Sequence, residues 1–288
     1  RAEGCRAPIK AILASGPLPA RTSLIMIAYV NGRFLPENEA TISIFDRGFL
    51  YGDALFEVIR VYGGRLFLWD LHLQRWEAGC ALLRLKPTLP GEKLKAIVED
   101  LLKRNDARDV LVRITLSRGI GTRGYSPKTA LAPCLVITLH PAASHSSATP
   151  KPLKLVTSGW RLRNEDPLAA AKHSNKLLQV LARAEADDKG ADEALLLNDR
   201  GEVVEGSSSN LFWVSGNDLG TAPVQAGVLP GTTRAFVMEL GRQGGVLAHA
   251  AEDPVLELLD PHLGELGPGD QLADQLGAGT GRVARIAL

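Results

Sequence analysis

From Ile27 onward apolar and polar residues alternate in short runs that predict strands and hairpins. Ala28-Tyr29-Val30 leads into Asn31-Gly32, a strong hairpin signal, and Arg33-Phe34-Leu35 returns. Leu55 to Tyr62 is branched and aromatic, and Gly63-Gly64 turns it toward Leu66-Phe67-Leu68. Asp70 is placed to cap a helix reaching about Leu83, with Leu73, Trp76 and Cys80 at helical spacing. Glu92 to Asn105 predicts a clearer helix, because Leu94, Ile97, Val98, Leu101 and Leu102 form one apolar stripe. Val110, Val112, Ile114 and Leu116 alternate as a strand does, and Cys134 to Leu139 reads as another.

Pro141 to Pro152 breaks the pattern with Pro, Ala, Ser, Thr and His, the texture of an interdomain linker. Beyond it strands and helices mix. Ser174 can cap a helix through Leu177, Val180, Leu181 and Ala184. Ala194–Leu197 and Val203-Val204 flank the hairpin signal Asn198-Asp199-Arg200-Gly201, Leu211–Val214 is a further strand, and Gly231-Thr232-Thr233 opens a helix through Leu240. After Asp260 glycines punctuate a tail with little strand or helix pattern. The expected organisation is α/β with two domains: a leader over 1–25, a small N-terminal domain over 26–140, the linker over 141–152, and a larger domain over 153–288. The leader carries Arg1, Arg6, Lys10 and Arg21 against Glu3 as its only acid, and Met26 directly precedes the first strand. It is expected to be translated upstream sequence or a disordered extension rather than a transit peptide.

Composition narrows the function class by exclusion. The 288 residues are 45% hydrophobic and 23% charged, with 33 basic against 32 acidic side chains and a net charge of +1. That balance argues against a nucleic-acid surface. No apolar run has the length of a membrane span. The three cysteines are far apart and include no CxxC pair, so neither a disulfide framework nor a zinc site is expected, and a reducing cytoplasm fits.

Five places could carry chemistry. Lys172, in Ala171-Lys172-His173-Ser174-Asn175-Lys176, precedes an expected helix start, where the helix dipole disfavours an ammonium and eases Schiff-base formation. Lys176 competes for that role. Glu205 ends a short strand and enters the hydroxyl-rich run Gly206 to Asn210, which includes Ser209. Leu229-Pro230-Gly231-Thr232-Thr233-Arg234 offers free N–H groups and hydroxyls at a helix start, which suits a phosphate. Arg75, in His72-Leu73-Gln74-Arg75, could clamp a phosphate bidentately. Arg118 to Tyr125 is a glycine-rich loop whose Arg123 and Tyr125 could capture a carboxylate. Taken singly, each is also what a solvated lysine or arginine, an ordinary cap or a mobile loop would look like.

Taken in order they are more specific. Asp46 to Asp53, Phe56-Glu57, His72 to Arg75, Arg118 to Tyr125, Lys172 to Asn175, Glu205 to Asn210 and Gly231 to Arg234 together resemble the class IV, or fold-type IV, pyridoxal-phosphate (PLP) enzymes over roughly Tyr29 to Leu240. That family includes branched-chain and D-amino-acid aminotransferases and aminodeoxychorismate lyases. The resemblance implies a small and a larger α/β domain with PLP between them, and a homodimer whose active sites take a loop from the partner. It implies Lys172 as Schiff-base lysine and proton shuttle and Glu205 as partner of the pyridine nitrogen. It further implies Arg75, Thr232 and Thr233 at the phosphate, with Ser209 and Asn210 also cofactor-binding, and Phe56, Arg123 and Tyr125 at the substrate. The sequence departs from the family over Gln271 to Thr280, where a second phosphate loop is expected and only Thr280 resembles one. Three activities follow as expectations: amino transfer between an amino acid and a 2-oxo acid, aminodeoxychorismate lysis releasing pyruvate and 4-aminobenzoate, or PLP binding without activity.

Overall fold

The computed structural model describes residues 25–142, 153–215, 218–250 and 281–287. β1 (Ile27–Val30) and β2 (Arg33–Pro36) form the expected hairpin, with Asn31 and Gly32 at φ 46° and 90°, the left-handed pair that a two-residue turn requires. A short helix α1 (Arg47–Tyr51) follows, capped by the Asp46 carboxylate on the Gly48 N–H and closed by Gly52 in the left-handed region. Then come β3 (Ala54–Tyr62), β4 (Arg65–Leu66), α2 (Trp69–Leu83), α3 (Gly91–Arg104), β5 (Val110–Ser117) and β6 (Cys134–Pro141). The six strands pair in the order β2-β1-β6-β5-β3-β4.

The period-two alternation of β3 decides which side chains face the core. Leu55, Ile59 and Val61 join Trp76, Val98, Leu101, Ile114, Leu116 and Ile137 in one apolar cluster on the helix-covered side. Phe56 and Val58 therefore turn to the opposite face. Glu57 shares the core side and is 1% exposed, a buried carboxylate that hydropathy patterning alone does not account for.

The second sheet is built from β7 (Leu155–Leu162), β8 (Glu193–Asn198), β9 (Val203–Gly206), β10 (Ser209–Ser215), β11 (Asp218–Thr221), β12 (Leu247–Ala250) and β13 (Gly281–Ala287). Its order is β12-β11-β10-β9-β8-β7, and β13 pairs along β10. Parallel β7 and β8 are joined through helix α4 (Leu177–Asp188), whose Ala182 and Ala186 pack on Val156, Ala194 and Leu196. Helix α5 (Thr232–Gln243) starts from Gly231 as expected. The architecture is thus α/β, with two sheets and their helices.

Several boundaries differ from the sequence pattern for local reasons. Asp70 does not cap α2: Leu68 occupies that position at φ 54°, and Asp70 lies in the first turn, where its charge still favours the helix dipole. Ser174 does not cap α4, which begins three residues later with Lys176 at the cap position. Ser174 instead donates its backbone N–H to Ala54, because the chain there pairs briefly with β3. The glycine-rich tail is not wholly irregular, since Gly281–Ala287 is a strand. Pro141 belongs to β6 rather than to a linker. The leader over 1–24, the linker over 143–152 and the stretch Gln271 to Thr280 lie outside the described residues. Among the described residues no helix is long and apolar enough to cross a membrane.

Candidate active site

Lys172 is brought to its place by backbone pairing. Its carbonyl accepts the Phe56 N–H at 2.9 Å, the Ser174 N–H bonds Ala54 O at 2.9 Å, and His173 bridges Leu55. The segment acts as an extra strand on the start of β3. Ala171, wholly buried, lies against Gly79 of α2, where an added Cβ would sit 3.7 Å from the Ala171 Cβ and press on Leu55 Cδ1 at 2.8 Å. Gly52 makes a comparable close approach: at φ 65°, a Cβ there would sit 2.3 Å from Asn175 Oδ1. The Asn175 amide donates to Gly52 O at 3.2 Å, so the Asp46–Asp53 motif and the lysine segment are tied together.

Lys172 is 7% exposed, and among the described residues no carboxylate reaches ion-pair distance of it. Burial pushes its pKa down to about 8, with the nearby Arg75 and Lys176 charges adding to the effect and those of Glu57 and Glu205 opposing it. The cause is therefore desolvation, not the helix N-terminus expected from the sequence, since α4 starts five residues further on. Its ammonium lies 5.0 Å from the Phe56 ring centroid.

A cavity of about 710 Å³ opens beside it, within the range of small-molecule sites (roughly 300–1,000 Å³). Phe56 and Val58 of β3 form one wall. Lys176, Val180 and Ala184, at helical spacing on α4, line another. Gln179, Arg183 and Asp187 of α4 also line it, as do Glu205, Ser207, Ser208 and Leu229. Glu205 is buried; burial pushes its pKa up to about 7, against a hydrogen bond from the Leu229 N–H at 3.2 Å and the charges of Lys176 and Lys172. A buried carboxylate facing such a cavity suits a cation or a protonated ring nitrogen, which would hold it ionised. Asn210, its neighbour across the β9–β10 pair, donates to Leu229 O at 3.0 Å, and among the described residues its buried Oδ1 has no hydrogen bond. Ser209 is buried on the same strand.

Arg75 and Thr232 meet in a second, adjoining cluster. The Arg75 fork is already partly engaged: Nε and Nη2 bond the two oxygens of Glu57 at 2.8 and 2.6 Å, and Nη1 bonds Pro230 O at 3.2 Å. Glu57 thus holds the Nε–Nη2 edge, so the bidentate phosphate contact expected from the sequence has only the Nη1–Nη2 edge left to it. One N–H on each terminal nitrogen stays free. Thr232 is buried and Thr233 half-buried at the start of α5, whose cap residue Gly231 offers no side chain to the first N–H groups. Glu57 and His72, both in this cluster, stand in the Phe56-Glu57 and His72 to Arg75 motifs, but the sequence alone gives them no role of their own. Burial concealed them, since a polar residue within an apolar period looks like a surface position until its partners are known.

Arg123 and Tyr125 do not line the cavity of this single chain. They sit exposed on a loop that Arg47 anchors, donating to Gly124 O at 2.8 Å and Tyr125 O at 2.9 Å, and Tyr125 itself is 84% exposed. Another cation lies closer to Phe56: the Arg113 guanidinium stacks over that ring at 3.8 Å, its pKa lowered by burial. Its position opposite Val58 on β5 puts it on the cavity side of the sheet. We expect Arg75→Lys, which keeps a cation for Glu57, to weaken PLP binding about tenfold through loss of the fork. Arg123→Ala should leave PLP affinity unchanged. Titration of apo-protein with PLP measures both, and the reverse ranking would require redrawing the phosphate site.

The chain is similar to known proteins of one family. The sequence model of the family described as Amino-transferase class IV matches residues 54–257, more than half of the chain. A putative branched-chain-amino-acid aminotransferase of Methanocaldococcus jannaschii is 35% identical over 80% of this chain and 79% of its own. The aminodeoxychorismate lyase of Bacillus subtilis is 32% identical over 76% of this chain and 74% of its own. Among solved structures, the T.th. branched-chain amino acid aminotransferase with pyridoxamine 5'-phosphate superimposes with a TM-score of 0.72 at 29% identity, covering 78% of this chain and 76% of that one.

Proposed function

Because this chain belongs to the class IV aminotransferase family, and is therefore a PLP-dependent enzyme, we propose that it transfers an amino group between an amino acid and a 2-oxo acid in the cavity beside Lys172. The observation that carries the reading is the presence, on the walls of one cavity, of a buried carboxylate and a buried lysine that forms no ion pair among the described residues. PLP, when bound, supplies an aldehyde to hold the substrate amine and a ring that withdraws electrons from its α-carbon. The chain's residues do the rest. Lys172, with its pKa near 8, is readily deprotonated, so it can hold the cofactor and then carry a proton at the α-carbon. Glu205 keeps the ring nitrogen protonated. Phe56 and Val58 offer an apolar wall that excludes water, and Arg75, Thr232 and Thr233 hold the phosphate.

Lysis of aminodeoxychorismate is the second reading, favoured by Lys176. This side chain lines the same cavity, its pKa lowered by burial, and among the described residues it forms no ion pair. A free cation there suits a substrate with more than one carboxylate better than an aliphatic one. Incubation of PLP-loaded protein with an amino-acid and 2-oxo-acid panel, alongside aminodeoxychorismate, separates the two. Amino transfer that depends on the 2-oxo acid supports the first reading. Pyruvate release without an acceptor replaces it with the second, and no reaction with either, together with no cofactor uptake, removes both.

A homodimer is also part of the proposal. Ile44, Phe45 and Phe49 are 67%, 61% and 67% exposed, a concentration of apolar surface unusual for a monomer, and it adjoins the Arg47-anchored loop carrying Arg123 and Tyr125. Pairing through this face would account for a substrate loop that stands outside its own cavity. Sedimentation should show a dimer that Phe45→Glu with Phe49→Glu converts to monomer; a wild-type monomer would remove this part of the reading.

A further inference from the structure

The cluster behind the proposed phosphate site contains two ionisable residues to which the chemistry above gives no task, Glu57 and His72. Glu57 projects from β3 and is 1% exposed. Burial alone would raise its pKa, but hydrogen bonds from Arg75 and His72, with their charges, hold it below the ordinary value. An ionised carboxylate only accepts hydrogen bonds. Its contact with His72 Nδ1 at 2.7 Å therefore requires Nδ1 to carry a proton. The other ring nitrogen, Nε2, meets Thr232 Oγ1 at 3.2 Å. His72 and Arg75 are three residues apart on α2, so one helix face presents both to the same carboxylate.

The result is a chain of contacts from β3, through two side chains of α2, to the first turn of α5. One arm runs Glu57 to Arg75 to Pro230 O, the other Glu57 to His72 to Thr232. Both end at the loop that starts α5, where no side chain caps the helix among the described residues. Arginine and threonine side chains are flexible when free. Here the guanidinium plane is held by two bonds to one carboxylate, and the Thr232 hydroxyl is held at Nε2 of a ring anchored through Nδ1: a ring carrying both protons donates to Oγ1 and leaves the hydroxyl proton for the phosphate, whereas a ring protonated at Nδ1 alone takes that proton.

We propose that Glu57 and His72 are positioning residues for the cofactor phosphate: Glu57 sets the plane of Arg75 directly and the Thr232 hydroxyl through His72. This inference rests on the phosphate reading given under the proposed function. It assigns the cluster a task beyond joining the two sheets, and the two tasks separate experimentally. A purely structural cluster affects every ligand of the cavity equally. A phosphate-positioning cluster affects ligands that carry the phosphate and spares those that do not.

The test compares PLP with pyridoxal, which has the same ring and aldehyde and no phosphate, by titration of apo-protein at equilibrium. Glu57→Gln is expected to weaken PLP roughly ten- to a hundredfold, the range for a lost charge-assisted contact, while pyridoxal affinity stays within about twofold. His72→Gln should weaken PLP in wild type and have no further effect in a Thr232→Val background, since its action passes through that hydroxyl. Equal losses for PLP and pyridoxal, or no loss for either, would overturn the inference. If Glu57→Gln fails to fold, the His72 and Thr232 cycle decides alone, and additivity of those two substitutions sinks the proposal. A wild-type protein that binds PLP no more tightly than pyridoxal refutes the phosphate reading itself, a result distinct from failure of the two variants.

Discussion

Borohydride reduction of the PLP-loaded protein is expected to leave a pyridoxyl group on Lys172 and none on Lys176. Both lysines line the cavity, and burial lowers both pKa values. They differ in setting. Lys172 is fixed by backbone pairing to β3 and packed against the Phe56 ring, whereas Lys176 sits at the start of α4, on the helical wall. Lys172→Ala should lose turnover by roughly a thousandfold or more, because it removes both the covalent attachment and the proton carrier. The pH dependence follows from the sign of the shift. Only the neutral amine attacks an aldehyde, so the rate of PLP capture by apo-protein should rise with pH and level off above about 8, rather than above the ordinary lysine value. Peptide mapping after reduction and stopped-flow capture rates check these outcomes. A label on Lys176 would transfer the role to it.

Glu205→Gln is expected to keep bound cofactor and to lose turnover by roughly a hundredfold or more, the scale of removing one fixed charge from a reacting centre. The amide can still accept the Leu229 N–H, so the local hydrogen bond survives. It cannot keep a ring nitrogen protonated, and the α-carbon then has no electron sink. Removal of a buried charge whose pKa burial has already raised to about 7 should not harm the fold, and a melting temperature equal to or above wild type is expected. Turnover at the wild-type level in this variant would show that Glu205 is not the partner of the ring.

Strands and hairpins were legible because their signals are local. Asn31-Gly32 turns where its left-handed dihedrals permit, and the stripe of Leu94, Val98 and Leu101 is the buried face of α3. The order of the motifs along the chain was enough to indicate the family and to single out Lys172, Glu205 and Thr232. Tertiary structure decided what those residues meet. Lys172 owes its low pKa to burial against β3 rather than to a helix start, because Ser174 spends its N–H on Ala54 and delays α4. The Arg75 fork serves Glu57, a residue 18 positions away whose side chain reaches it only because β3 packs under α2. Arg123 and Tyr125 stand outside the cavity because Arg47 holds their loop at the surface. Turn and helix preferences act over a few neighbouring residues and are therefore written in the sequence. Desolvation, ion pairing and the walls of a cavity depend on which distant segments pack together, and only the folded chain sets them.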